Sequence, residues 1–193
     1  MQELKFKFGG YYHSHRKFSA TFIRGINTIV GKNGSGKTSM IKELEKHLNN
    51  QNIPVFHLDS FDENKRAMQK NMDSGNVNFV IEYFNSSEGE KIIVNLSARI
   101  SAMKRFLMKH QDAEVVVCLF DALDSGLSIN MIIEIREIFD IFIKDFPNLV
   151  IVNTTNNYEF TKGTRCISAK SGREVSFKSY DDYVKFILGK RRG

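Results

Sequence analysis

The chain has 193 residues, of which 41% are apolar and 26% charged, as is ordinary for one globular domain. A chain of this length can bury enough surface to fold without disulfide or metal cross-links. The formal net charge of +6 fits an anionic partner such as a nucleotide or a nucleic acid, although a solvated surface explains it equally well.

The sequence predicts neither a secretory signal nor a membrane span. The opening MQELKFKF has no apolar core of the kind a secretory signal needs, and no apolar run approaches the roughly 18 residues of a membrane span. The two cysteines, Cys118 and Cys166, fall in apolar segments and are interpreted as buried, reduced thiols. We therefore expect a cytoplasmic protein with no membrane partner.

The first third of the chain predicts strands followed by a helix. Apolar residues alternate in two segments, at Leu4, Phe6 and Phe8 and at Phe18, Ala20 and Phe22, which predicts an N-terminal antiparallel strand region. The run 26–30 predicts a buried strand. A helical apolar stripe then comprises Met40, Ile41, Leu44 and Leu48, and 55–58 predicts a further strand.

The middle of the chain is less informative until residue 88. A short helix is plausible around Arg66, and 77–84 is ambiguous between helix and strand. From Glu88 a long helix is predicted by apolar residues on one face, namely Ile92, Ile93, Leu96, Ile100, Met103 and Leu107.

The last third alternates strands and helices. The continuous apolar run 115–120 is typical of a parallel strand that is covered on both faces. Ser128 is a predicted helix cap, Pro147 ends that helix, and 149–152 is the next strand. A hairpin over 165–168 and 174–177 and a final helix capped by Ser179 complete the chain. This alternation predicts one α/β domain over 1–193 with a largely parallel sheet.

A phosphate-binding loop stands between the third predicted strand and the first helix. The sequence GKNGSGKT fits G-x-x-x-x-G-K-[ST], the P-loop pattern. Its glycines allow the backbone N–H groups to point at phosphate oxygens, the lysine reaches the β- and γ-phosphates, and the threonine hydroxyl binds Mg²⁺. The predicted nucleotide-binding residues are Gly31, Lys32, Asn33, Gly34, Ser35, Gly36, Lys37, Thr38 and Ser39.

Asp121 is the predicted second metal-side residue. It ends the buried apolar run, where a carboxylate is placed to hold the water shell of Mg²⁺. A lone aspartate after a strand is usually a turn residue, but a P-loop in the same chain favours the metal interpretation. Thr38 and Asp121 are thus the predicted metal residues, with ATP and Mg²⁺ as the predicted cofactors.

Two further segments resemble the ABC-type ATPases. The sequence SSEGE, 86–90, is a capping box built on Ser87 and Glu90, and it also resembles the family signature L-S-G-G-[QE]. The sequence SGLS, 125–128, resembles the family D-loop, and the order of the parts also matches over about residues 1–160. The P-loop version G-x-N-G-S-G-K-T resembles the soluble branch of SMC and DNA double-strand-break repair ATPases. The chain lacks their coiled-coil insert and so resembles a stand-alone head.

The resemblance implies a P-loop NTPase fold with a small helical lobe over about residues 59–110, and a homodimer that sandwiches ATP. Ser87 and Gly89 of one head would then face the P-loop of the other. The chain departs from the family at two points, because Ala122 stands where a glutamate is usual and Asn156 stands at the place of a histidine. Asp124 is the nearest spare carboxylate, either a substitute base or a turn cap. The predicted catalytic residues are accordingly Asp121, Asp124 and Asn156.

The sequence leaves the roles of several other residues undecided. The adenine-stacking aromatic would precede the P-loop, with Tyr11 and Tyr12 as candidates, although strand packing explains either. Gln69 is the candidate for the family's glutamine loop. His13 and His15 could share a strand face, but no third metal ligand lies near them in the sequence.

Three functions remain compatible with the sequence. The first is a slow ATPase that dimerises around Mg-ATP in a process linked to DNA or RNA, with an unidentified protein partner as a further option. The second is a binding switch that senses ATP and scarcely hydrolyses it, which the missing glutamate and histidine favour. The third is a small nucleotide or metabolite kinase. That class usually needs an arginine-rich lid, and Arg66, Arg99 and Arg105 do not cluster as one.

Overall fold

The structure is a computed structural model that describes residues 3–8, 17–59 and 88–189. At the N-terminus, strands β1 (Glu3–Phe8) and β2 (Phe18–Ile23) pair antiparallel, with Leu4 opposite Phe22 and Phe6 opposite Ala20. The alternation of apolar residues places Phe6, Ala20 and Phe22 in the core. The predicted antiparallel region is confirmed.

A six-stranded sheet forms the centre of the described fold. Its strands are β3 (Gly25–Val30), β4 (Val55–Asp59), β5 (Val116–Asp121), β6 (Leu149–Thr155), β7 (Arg165–Ser168) and β8 (Glu174–Val175). The spatial order is β4-β5-β6-β3-β7-β8, and every neighbouring pair is parallel except the β7–β8 hairpin. The predicted α/β fold with a largely parallel sheet is confirmed.

Helices follow most of these strands. They are α1 (Lys37–Asn50), α2 (Glu88–Lys109), α3 (Ile129–Asp145), a 3₁₀ turn (Tyr158–Thr161) and α4 (Tyr180–Leu188). Ser128 caps α3 by accepting a hydrogen bond from the Met131 N–H, and Ser179 caps α4 in the same way from Asp182. Both predicted caps are confirmed, because a short hydroxyl side chain satisfies an N–H group that the first helical turn leaves free.

The sheet is buried on both faces, which explains its continuous apolar strands. Alternate residues of β5 pack on opposite sides, so that Val117 and Leu119 join the α1 side whereas Cys118 and Phe120 join the α3 side. The α1 side contains the predicted stripe Met40, Ile41, Leu44 and Leu48, and the α3 side contains Ile132, Ile135, Phe139 and Phe142. This double cover fixes the carboxyl ends of the strands relative to one another.

Some boundaries differ from the prediction. Strand β6 continues through Thr155, three residues past its expected end at Val152, because Asn153 and Thr154 are buried polar residues that the apolar pattern does not register. Strand β8 ends at Val175 and not at 177. Both cysteines are buried free thiols, as expected.

Helix α2 is the described part of the predicted small lobe over 59–110, and the assignment of the lobe as a unit stays a prediction. The interpretations of Arg66, Gln69 and 77–84 concern residues outside the described ranges, as do those of Tyr11, Tyr12, His13 and His15. Within the described ranges, none of the helices has the length and apolar character needed to cross a bilayer.

Candidate functional site

The loop between β3 and α1 has the backbone that the P-loop pattern predicts. Gly34 has φ +75° and Gly36 has φ +94°, a region that residues with a Cβ rarely adopt. Gly31 lies against Ser35, and a Cβ at position 31 would require the Ser35 hydroxyl to move. The loop ends at the first turn of α1, whose N–H groups have no helical acceptors and favour an anion.

Lys37 extends back across this loop. Its Nζ donates to the Gly31 carbonyl at 2.7 Å and to the Asn156 Oδ1 at 2.8 Å. Burial lowers the pKa of Lys37, and the carboxylates of Asp124 and Asp121 oppose that shift. The lysine amine is therefore held by two neutral oxygens and lies within the field of two acids.

Asp121 lies at the end of β5 and is only 3% exposed. Its Oδ1 accepts a hydrogen bond of 2.6 Å from the Thr154 hydroxyl, at the neighbouring end of β6. The same hydroxyl accepts from the Ala122 N–H at 2.8 Å. Ala122 itself has φ +52°, a left-handed conformation that is uncommon for a residue other than glycine.

Asp124 is held by the residues that follow β6. Its Oδ2 accepts from the Thr155 hydroxyl at 3.0 Å and from the Asn156 N–H at 2.8 Å. These two bonds tie the turn after β5 to the end of β6 over 31 and 32 residues of sequence, so they are not the local contacts of a turn cap beside Ser125 and Gly126. They give Asp124 a structural role, and its role as a substitute base stays a prediction.

These elements enclose an open pocket of about 720 Å³. Strand β6 lies between β3 and β5. The P-loop after β3 and the turn that follows Asp121 at the end of β5 therefore lie on either side of the end of β6. This is the carboxyl edge of the sheet, where α/β folds bind ligands. The predicted residues that line it are Asn33, Gly34, Gly36, Lys37, Thr38, Ser39, Asp121, Asp124 and Asn156. The Thr38 hydroxyl and the Asp121 carboxylate supply oxygen ligands of the kind Mg²⁺ prefers.

Other predicted residues lie beside or outside this pocket. Gly31 and Ser35 pack against each other behind the loop, and Lys32 is exposed with its carbonyl accepting from the Ser35 N–H. Gly89 is in the first turn of α2, and Ser87 falls just outside the described ranges. The role of the signature residues in nucleotide binding therefore stays a prediction.

Sequence reasoning missed two residues that line the pocket, Thr154 and Thr155, and named Ser125 only as part of the segment that resembles the D-loop. The available signal was two adjacent threonines just beyond the carboxyl end of a predicted strand. The two hydroxyls hold two different carboxylates, of Asp121 and of Asp124.

Comparisons with known proteins give a match at the level of the fold. No protein-family model matches the sequence, and no curated protein matches it either. Among solved structures, the chain is similar to a protein described as a metal-chelate type ABC transporter in an inward-facing conformation. The TM-score is 0.53 and the identity is 11%, over 98% of this chain and 90% of that chain.

The chain has the fold of an ABC-type ATPase. The expected family resemblance is thus confirmed at the level of the fold. At 11% identity the similarity carries no information about function, and it gives no support to the SMC and DNA-repair branch in particular.

Proposed function

We propose that the chain binds Mg-ATP in the pocket between the P-loop and the Asp121 turn. The observation that carries this proposal is the convergence of Lys37, Thr38 and Asp121 on one cavity. Lys37 would exchange its bonds to Gly31 and Asn156 for phosphate oxygens, while the N–H groups of the loop and of the first turn of α1 hold the same phosphates. Thr38 and Asp121 would hold Mg²⁺ and its water shell, and the ion would neutralise charge on the phosphates.

We also propose that hydrolysis is slow. A carboxylate after Asp121 would orient and deprotonate the attacking water, and general-base catalysis of this kind contributes about 10²–10⁴-fold. Ala122 lines the pocket at that position and has no group that accepts a proton. Asp124 is the nearest alternative, but its Oδ2 is already bonded to Thr155 and Asn156. The chain would therefore remain in its ATP-bound state for long periods.

Phosphate release at saturating Mg-ATP tests this proposal. We expect the wild type to turn over below about 1 s⁻¹, the low end of ordinary enzymes, and Ala122→Glu to be faster. Asp124→Ala controls for a relocated base. If the wild type exceeds that rate, and Asp124→Ala abolishes the activity without weakening ATP binding, the base is Asp124 and the slow-hydrolysis proposal is wrong.

An ATP-dependent homodimer is the third part of the proposal. It is supported by the resemblance of 86–90 to the ABC signature and by the start of α2 at Glu88, one residue after Ser87. A helix N-terminus suits the γ-phosphate of nucleotide bound to a second copy. Size measurements with and without Mg-ATP test it. Ser87→Arg should keep ATP binding and lose the dimer, whereas a dimer that persists in this variant would leave Ser87 as a helix cap only.

A switch that binds ATP and does not hydrolyse it is the second candidate. The observation that favours it is that Ala122 and Asn156 both line the pocket and that neither side chain can act as a base. Turnover that Ala122→Glu does not raise, together with an ATP-dependent change in size, would favour the switch over the slow ATPase.

A link to DNA or RNA is supported by the positive charge of the chain. The net charge is +6, and Lys104, Arg105 and Lys109 are exposed on α2. We propose weak, sequence-independent binding to DNA or RNA through phosphates, with an affinity that falls steeply as salt increases. Absence of binding to long duplex and single-stranded nucleic acid at low salt would refute it.

A further inference from the structure

We infer that Thr154 is a positioning residue of the proposed Mg²⁺ site, one that fixes the Asp121 carboxylate before the metal arrives. This inference deepens the proposed function and rests on it. The family resemblance pointed to the P-loop, Asp121 and the position of Asn156, and it did not point to Thr154. The assignment comes from the hydrogen bonds of one buried hydroxyl.

Thr154 is placed by the sheet. It lies on β6, opposite Ile29 of β3, and only 1% of it is exposed. Its Oγ1 is 2.6 Å from the Asp121 Oδ1, within the short range of charge-assisted O–H···O⁻ hydrogen bonds. Both residues line the pocket, so the bond forms part of its wall.

The direction of the hydroxyl proton follows from the partners. The Ala122 N–H can only donate, and it lies 2.8 Å from the Thr154 Oγ1. A hydroxyl has one proton, and an ionised carboxylate only accepts. Thr154 must therefore accept from Ala122 and donate to Asp121, which holds Oδ1 and orients Oδ2 for a water bound to the metal.

The same hydroxyl also fixes the backbone that follows the acid. Ala122 has φ +52°, and its N–H is directed at Thr154 in this conformation. A valine at position 154 would have the same shape but no polar atom. It would leave the buried Asp121 Oδ1 and the Ala122 N–H without this partner, so the carboxylate could rotate away from the metal position.

A buried hydroxyl can also be purely structural, and Thr28 provides the matched control. Thr28 is 0% exposed on β3, and its hydroxyl bonds to Asn153 and to the Phe160 carbonyl and does not line the pocket. Thr28→Val should lower the melting temperature without changing metal binding. Substitution of a residue that orients a metal ligand should weaken Mg²⁺ binding by more than its effect on the melting temperature explains.

The test is a calorimetric titration of Mg²⁺ into each protein at saturating ATP, with Mg-free ATP binding measured in EDTA as a second readout. Loss of a group that orients a metal ligand typically weakens metal affinity 10–100-fold. We expect that loss in Thr154→Val, with Mg-free ATP binding unchanged. Thr154→Ser, which keeps the hydroxyl, should stay within about threefold of the wild type.

If Thr154→Val does not fold, Thr154→Ala removes the same hydroxyl with less crowding and is measured instead. Wild-type Mg²⁺ affinity in a folded variant without the hydroxyl would overturn the inference and leave the proposed function intact. A wild type that binds neither free ATP nor Mg-ATP would overturn the proposed function and the inference with it. Equal losses in Thr28→Val and Thr154→Val would overturn the inference too, because the effect would then be one of stability only.

Discussion

Lys37 and Asn156 are 119 residues apart in the sequence, and their side chains are joined by a hydrogen bond of 2.8 Å between Nζ and Oδ1. The bond connects the start of α1 to the segment after β6. Asn156 in turn donates its backbone N–H to Asp124. The P-loop lysine is thus linked to the turn after Asp121 through one residue, Asn156.

Asn156→Ala should strengthen the binding of ADP. Lys37 must leave Asn156 to reach phosphate, so removal of this acceptor removes a bond that nucleotide binding breaks. One hydrogen bond contributes a net free energy of about 0.5–1.5 kcal/mol. Removal of the bond between Lys37 and Asn156 therefore corresponds to roughly a two- to tenfold gain in affinity for ADP. Titration of ADP into wild type and variant measures the change. Weaker ADP binding by the variant would mean that Asn156 contacts the nucleotide directly.

Nucleotide affinity should fall at alkaline pH through Lys37. Burial lowers the pKa of this lysine in the free protein, and a bound phosphate would raise it again. The affinity for nucleotide is therefore full below the pKa that Lys37 has in the free protein. It declines as the pH rises from that value to the higher pKa that Lys37 has in the complex. ATP titrations across pH 7 to about 11 measure this, with Lys37→Arg as the control, because an arginine side chain stays charged throughout that range. An equal decline in Lys37→Arg would assign the effect to another group.

Ala122 should tolerate glycine and reject a β-branched residue. Its φ of +52° disfavours any side chain by roughly 1–2 kcal/mol, and glycine removes that cost at the expense of a more flexible unfolded chain. We expect Ala122→Gly to match or exceed the wild type in stability. Ala122→Val should lose more than about 1 kcal/mol, or roughly 2–4 °C in melting temperature. An Ala122→Val variant with the same melting temperature as the wild type would contradict the left-handed conformation of residue 122.

Asp124 should be replaceable by asparagine if its role is to hold the turn after β5 against the end of β6. The asparagine side chain keeps an oxygen that accepts from Thr155 and Asn156, so Asp124→Asn should retain the fold, whereas Asp124→Ala leaves two donors unpaired at about 1–3 kcal/mol. Thermal melting of both variants shows the difference. Phosphate release then separates the roles, because a proton-accepting base would be lost equally in both variants.

The sequence predicted the fold well because its signals are local. The alternation at 3–8 and 18–23, the stripe on α1 and the caps at Ser128 and Ser179 each depend on a few neighbouring residues. The P-loop was predicted for the same reason, since one short segment between a strand and a helix carries the whole pattern.

The contacts of the candidate site depended on strand order, which a single sequence does not give. Thr154 reaches Asp121 because β6 lies beside β5, and Asn156 reaches Lys37 because β6 also lies beside β3. The polar run that ends β6 interrupted the apolar pattern, so the strand was predicted to stop at Val152. Its two threonines therefore fell outside the predicted strand.

The central claim is that this pocket binds Mg-ATP through Lys37, and calorimetric titration of Mg-ATP into the wild type and Lys37→Ala tests it most directly. We expect one ATP per chain in the wild type and at least a tenfold weaker affinity in the variant, or about 1.4 kcal/mol. Equal affinities, or no heat of binding in a folded wild type at millimolar Mg-ATP, would contradict the claim.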